Sequence, residues 1–276
     1  MLTRILGSAV AASPALKRIL WRRWYQFLAR GYQQTDWTFM NYGYADTDER
    51  EASLFLEAAD EPDRYSIQLY HAVVAAVDVR DREVLEVGSG RGGGCSYVAR
   101  YLQPKRILGI DYSENAVALS RKLHAAAAPR LSFQQGDAEA LPCEANTFDA
   151  VVNVESSHCY GSMERFLGEV SRVLRPGGYF VWADMCQPGQ REATREQFRN
   201  AGLEMRQEIA ITPNVLRALD AVSERKKETI RRQVPKYLLG SFQDFAGVPG
   251  TRVYEALRAG EVEYLRCVLQ KPAAAL

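Results

Sequence analysis

The sequence predicts an α/β protein with one parallel sheet covered by helices on both faces, and three observations predict it. Short apolar runs alternate with amphipathic segments from residue 83 onward. A glycine-rich turn, within VLEVGSGRGGG (84–94), joins the first run to the segment after it. Acidic residues stand where the second and third runs end.

The elements follow in order. Residues 15–30 read as a helix, with Leu16, Ile19, Leu20, Trp24, Phe27 and Leu28 on one side and Lys17, Arg18 and Arg22 opposite; Arg23 interrupts the stripe. Two readings stand: a helix packed on the body with its basic face in water, or a membrane-surface contact suited to a lipid substrate. VLEV (84–87) is a buried strand, followed by a helix near 94–103. RILGI (106–110) is the second strand, and Ser113 can cap a helix running to about Ala127. LSFQQ (131–135) and FDAVVNV (148–154) are the third and fourth strands. Phe166, Leu167, Val170, Val173 and Leu174 mark a helix over 163–174, ended by Pro176, Gly177 and Gly178. YFVWAD (179–184) is the fifth strand, EMRQEIAIT (204–212) the sixth and EYLRCVLQK (263–271) the last. The roughly fifty charged, helix-like residues between the last two are long for a compact domain, which marks them as a cap over a substrate site.

Composition removes several function classes. The 276 residues suit one core with a cap. Lys plus Arg number 35 against 34 Asp plus Glu, so nothing calls for nucleic acid. Cys95, Cys143, Cys159, Cys186 and Cys267 are scattered, with no CxxC and no metal-ligand spacing. No metal is expected, and a reducing cytoplasm fits. No apolar run reaches the roughly 18 residues of a membrane span. The start, MLTRILGSAVAASPA, has the outline of a signal peptide, but Gly7 and Ser8 break its apolar stretch and a basic segment follows.

Three motifs carry chemistry. Gly88, Gly90 and Gly93 spell G-x-G-x-x-G between a strand and a helix, so a ligand can lie against bare backbone there. Alone, that pattern fits a nicotinamide dehydrogenase equally well. Glu86 tips the balance: an acid before the turn repels a pyrophosphate but helps to hold a cationic cofactor such as S-adenosylmethionine (SAM). Asp111 ends the second strand about twenty residues after Gly90, where an acid can accept both ribose hydroxyls. Tyr112 can pack on the adenine face. Asp137, past the third strand, can take the adenine amino group, with the Ala138 amide on the ring nitrogen; alternatively Asp137 caps a helix over 138–141.

VLEVGSGRGGG, GIDYSENAV, GDAEALP, NTFDAVVNVESSHCY and VSRVLRPGGYF together resemble the successive motifs of class I SAM-dependent methyltransferases. The resemblance implies a Rossmann-like, seven-stranded sheet with an antiparallel last strand and SAM across the carboxyl ends of the early strands. With the long connection read as a cap, the chain divides into an N-terminal helical lid (1–80), a SAM-binding core (81–212), a helical cap before the last strand (213–260), and that strand (261–271). NYGYAD (41–46), SIQLYH (66–71), GGGCSYVARYL (92–102) and VESSHCY (154–160) are similar to the phthiotriol and phenolphthiotriol dimycocerosate methyltransferases, which act on a hydroxyl of a long polyketide-derived lipid. Where those relatives carry SCG-like turns, this chain has GSG (88–90), which argues against copying their exact substrate.

The expected cofactor contacts are Tyr42, Glu86, Gly88, Ser89, Gly90, Gly92, Asp111, Tyr112, Asp137, Ala138 and Asn153. Tyr42 either closes over SAM or packs in the lid core. A hydroxyl acceptor needs a base near the methyl group, and the loop after the fourth strand holds Glu155, Ser156, Ser157, His158 and Cys159. His158 is the candidate base, its ordinary pKa suiting neutral pH. Glu155 either orients it or contacts cofactor, and Asp184 is a weaker candidate partner. His71 and His124 read as structural. A hydrophobic small-molecule acceptor is expected, with C- or N-methylation of a small molecule, or a SAM-binding enzyme without methyl transfer, as the alternative, and self-association left open.

Overall fold

The structure is a computed structural model that describes residues 38–47 and 54–273. The basic helix expected at 15–30, and the Trp residues around it, lie outside those residues. Among the described residues no helix is long and apolar enough to cross a membrane.

Seven strands form one sheet: β1 (Glu83–Val87), β2 (Arg106–Asp111), β3 (Leu131–Gln135), β4 (Phe148–Val154), β5 (Leu174–Cys186), β6 (Glu204–Ala210) and β7 (Glu263–Gln270). Their order is β3-β2-β1-β4-β5-β7-β6. The first five run parallel, and β7 is antiparallel to both β5 and β6. This is the seven-stranded, Rossmann-like arrangement that the motifs imply. The sheet reverses direction of travel at β1, which leads outward to β2 and β3 and then back to β4; the crevice there is where α/β sheets bind ligands.

Alternate residues of each central strand feed opposite layers. Val181 and Ala183 of β5 join one core with Ile67, Leu69, Val73 and Val74 of α1 (Arg64–Val74). Phe180 and Trp182 join the other with Phe166, Leu167 and Val170 of α4 (Met163–Val173) and Phe198 of α5 (Arg191–Asn200). Between β1 and β4 lie α2 (Gly93–Tyr97) and α3 (Glu114–Leu123). Ser113 does cap α3, accepting the Ala116 amide at 3.3 Å. The stretch between β6 and β7, expected to form a cap, holds α6 (Thr212–Gln233), α7 (Leu239–Phe245) and α8 (Arg252–Arg258). It has a small core of its own, built from Ile230, Val234, Phe242 and Val248.

Several boundaries differ from expectation. The helix near 94–103 is one α-helical turn that widens into a π-helical turn over Val98–Leu102. The α3 helix stops at Leu123, short of Ala127. Pro176, Gly177 and Gly178 do not end a helix; they lie in the first part of β5, whose Leu174 already pairs with Phe148 before a register shift. A bulge tolerates proline and glycine where a regular ladder would not.

Candidate active site

The crevice at the carboxyl ends of β1, β2 and β4 is a cavity walled by the glycine turn, the ends of β2 and β3, the loop after β4 and the strip Thr38–Asn41. Gly88, Gly90 and Gly92 all have left-handed backbone (φ 77°, 53° and 81°). At Gly88 a side chain has no room: a Cβ would stand 2.3 Å from Ser156 Oγ and 2.8 Å from Tyr160 Oη. Gly88, Ser89 and Gly90 line the cavity, whereas Gly92 packs behind it, where a Cβ would meet Phe133 at 2.5 Å.

Asp111 lines the cavity and fastens the turn: Gly90 donates to its Oδ2 and Ser113 to its Oδ1, each at 2.8 Å. Burial pushes its carboxyl up to about 6 against those two bonds. Tyr112 is in the wall beside it. Asp137 and Ala138 line the far end. No helix follows them; Asp137 Oδ1 accepts the Glu139 amide at 2.9 Å and closes a turn. Glu86 is one layer back, on the α1 side of β1, where Tyr70 donates to its Oε1 at 2.7 Å. Burial raises the Glu86 carboxyl to about 7, opposed by the Cys95 thiol and the Tyr70 hydroxyl.

Tyr42 is packed in the hydrophobic core, not in the cavity wall; Met40 and Asn41 take that place. Asn153 is also behind the wall. Its Nδ2 donates to the Val87 carbonyl at 3.0 Å, Ser156 Oγ at 2.7 Å and Tyr160 Oη at 3.0 Å, which fixes the loop under the glycine turn.

The loop after β4 brings two acids and a histidine together. Glu155 lines the cavity with a left-handed backbone (φ 49°), a conformation that costs a non-glycine residue about 1–3 kcal/mol. It does not bond to His158. Its Oε1 accepts the Tyr42 amide at 2.8 Å and the Tyr264 hydroxyl at 2.7 Å, and burial raises its carboxyl to about 7. The partner of His158 is Asp184, which sequence reasoning ranked second. His158 Nδ1 lies 2.7 Å from Asp184 Oδ1, and the His158 amide donates to Oδ2 at 3.0 Å. Ser157 donates to Oδ2 at 2.6 Å and receives the Trp182 indole N–H at 2.9 Å. Burial alone depresses the imidazole, but the carboxylate outweighs it, so His158 titrates well above its ordinary 6.5. Its side chain keeps 27 % of its surface exposed while Asp184 keeps 1 %. His158 stands just outside the cavity wall; its neighbours Ser156, Cys159 and Tyr160 are in it. His71 and His124 are bonded to Tyr97 and to the Arg91 carbonyl, consistent with structural roles.

Sequence reasoning missed Asn41, Tyr70 and Tyr264. Only topology reveals Tyr264: β7 is antiparallel and opposes Tyr264 to Met185, which places the start of β7 at the carboxyl edge of β5.

The wall suits an amino acid–nucleoside ligand. Among the described residues, Ser89 Oγ and Asn41 Oδ1 are buried in it without partners. Among the described residues no cluster of His, Cys, Asp or Glu can hold a metal, and all five cysteines are free.

Comparison with known proteins gives the same answer. Residues 85–182 match the methyltransferase domain family. The phthiotriol/phenolphthiotriol dimycocerosates methyltransferase of Mycobacterium tuberculosis is 38% identical over 256 residues, 93% of each chain. The fatty-acid O-methyltransferase of Mycolicibacterium smegmatis is 39% identical over 249 residues, 90% of this chain and 89% of that one. Geranyl diphosphate C-methyltransferase from Streptomyces coelicolor, solved with S-adenosyl-L-homocysteine, superposes with a TM-score of 0.65 at 16% identity, over 90% of this chain and 98% of that one. The chain is a class I SAM-dependent methyltransferase, and it belongs to the family that includes the phthiotriol and phenolphthiotriol dimycocerosates methyltransferases.

Proposed function

We propose that the enzyme O-methylates a hydroxyl, or an enol, of a hydrophobic polyketide-like metabolite or lipid, with His158 as general base. The His158–Asp184 pair beside the cavity carries this reading: a base oriented by a buried carboxylate is what a poor nucleophile requires. Ser89, the Gly88–Gly90 backbone, Asp111, Tyr112, Asp137 and Ala138 would hold the cofactor, with Glu86 behind the turn. Bound there, SAM supplies a methyl group already activated for displacement. The protein's work is then to align the acceptor and take its proton. Asp184 fixes the imidazole through Nδ1, so the proton goes to Nε2. In the same reading residues 1–80 are the lid, 81–212 the cofactor core, 213–260 the cap and 261–271 the closing strand.

The charge on the pair favours a second reading. An imidazole held above its ordinary pKa is a cation at neutral pH, which suits a carboxylate acceptor that needs no base, and a relative is a fatty-acid O-methyltransferase. The pH profile separates the two. With a hydroxyl acceptor only the neutral imidazole works, so turnover should climb as pH rises through the raised His158 value. With a carboxylate acceptor the imidazolium works, so turnover should fall over the same range. Single-turnover assays with labelled SAM and matched long-chain alcohols and acids measure this; no transfer to any hydroxyl overturns the first reading.

A cytoplasmic enzyme touching membranes through residues 15–30 completes the proposal. Reversing Lys17, Arg18 and Arg22 to Glu should lower co-sedimentation with anionic phospholipid vesicles. Equal sedimentation of both proteins refutes the contact.

A further inference from the structure

Lys226 is a half-buried cation of the cap with no carboxylate at ion-pair distance among the described residues. From the middle of α6 its ammonium donates to the Ala246 carbonyl at 3.2 Å and lies 6.0 Å from the centre of the Tyr42 ring. Gly247 follows Ala246 in left-handed backbone (φ 64°), and a Cβ there would stand 3.3 Å from Tyr42 Cε1. The cap loop therefore lies against the ring, and its carbonyl aims the ammonium at it. On the core side, the Tyr42 amide donates to Glu155 Oε1. Tyr42 is gripped twice, by its backbone from the end of β4 and by its ring from the cap. The residues just before it, Thr38–Asn41, form one wall of the cofactor cavity. The residues after it are tied to the root of the same cap helix: Ala45 and Asn214 exchange two bonds, at 3.1 and 3.0 Å.

We propose that Lys226 is a positioning residue for the cofactor: its ammonium holds the Tyr42 ring from the cap while Glu155 holds the Tyr42 backbone from the core, so that residues 38–41 stay seated against the glycine turn. The cap that covers the acceptor is thereby coupled to the strip that covers SAM. A cation over an aromatic face is the physical link, and it strengthens as water is excluded. The proposal rests on the cavity being the SAM site.

The test is SAM titration by calorimetry on the full chain, with steady-state kinetics alongside. Lys226→Met keeps the apolar stem and removes only the charge. It should weaken SAM binding roughly threefold to tenfold, with the loss in KM for SAM rather than in kcat. Lys226→Arg should restore binding. Tyr42→Leu should weaken binding similarly, and the double variant should lose no more than either single one, because one contact is removed in all three. Burial lowers the ammonium to about 8, with Glu155 opposing. Glu155 and Arg225 are the charged groups acting on the ammonium, and Glu155, Asp244, Asp184 and Cys159 those acting on the Tyr42 ring. Wild-type affinity should therefore fall as pH rises through about 8, while Lys226→Arg holds its affinity. Unchanged SAM affinity in Lys226→Met, failure of arginine to restore it, additivity in the double variant, or the same pH profile for Lys226→Arg overturns the proposal. If Gly88→Ala also leaves SAM binding intact, the cavity assignment is at fault; if Gly88→Ala weakens binding sharply, only the role of Lys226 is.

Discussion

Gly88→Ala is expected to weaken SAM binding sharply and to lower stability. The backbone at Gly88 has φ 77°, a region that costs a residue with a side chain about 1–3 kcal/mol. The new methyl would also stand 2.6 Å from Ser156 Cβ, an atom fixed by the main chain and unable to swing away. Ser156 is held in turn by Asn153 and Tyr160, so the strain passes to the loop that carries Glu155 and His158. Affinity should fall at least about tenfold, which is 1.4 kcal/mol, and the thermal midpoint should drop with it. Gly168 supplies the control. It lies on the exposed side of α4, and a Cβ there would meet nothing within 4 Å, so Gly168→Ala should be neutral or stabilising by about 0.5–1 kcal/mol. Equal SAM affinity in Gly88→Ala and the wild type would show that the turn does not bear on the ligand.

The difference between these two glycines is only partly written in the sequence. The pattern around Gly88 marks a turn between a strand and a helix, and local periodicity is enough to locate it. The same holds for β3 and β4, whose limits agree with the apolar runs that announce them. Asp111 and Asp137 were legible because a residue just past a parallel strand must stand on the carboxyl edge. What local pattern cannot supply is the pairing of that edge with distant segments. Asp184 becomes the partner of His158 because β5 lies beside β4 in the sheet. Tyr264 meets Glu155 because β7 inserts antiparallel against β5. Tyr42, for which both places stood open, and Asn153 show the converse. Both occur in motifs shared with methyltransferases, yet each turns its side chain away from the cavity and holds a residue that does line it. The helix expected after Asp137 fails for a local reason: its amide acceptor closes a two-residue turn, and Pro142 follows too soon for a helix to propagate.

Replacing His158 should separate catalysis from cofactor binding. Because the imidazole lies outside the cavity wall, His158→Ala should leave SAM affinity within about twofold while turnover on a hydroxyl acceptor falls roughly 10²-fold or more, the usual contribution of a positioned general base. Asp184→Asn tests the pairing. The amide keeps the size of the carboxylate but cannot raise the imidazole, so the acidic limb of the pH profile should move down toward the ordinary histidine value. Turnover should still fall, because Asn presents one acceptor where Asp184 now serves Nδ1, the Ser157 hydroxyl and two backbone amides. Glu155→Gln should behave differently from both. Its side chain holds Tyr42 and Tyr264, not His158, so its loss belongs to SAM affinity rather than to the acidic limb. Measuring kcat against pH for the three variants, each at saturating SAM, distinguishes base, orienter and latch. A His158→Ala enzyme with wild-type turnover on a hydroxyl would remove the histidine from the reaction, and the choice of acceptor would then rest with the carboxylate reading.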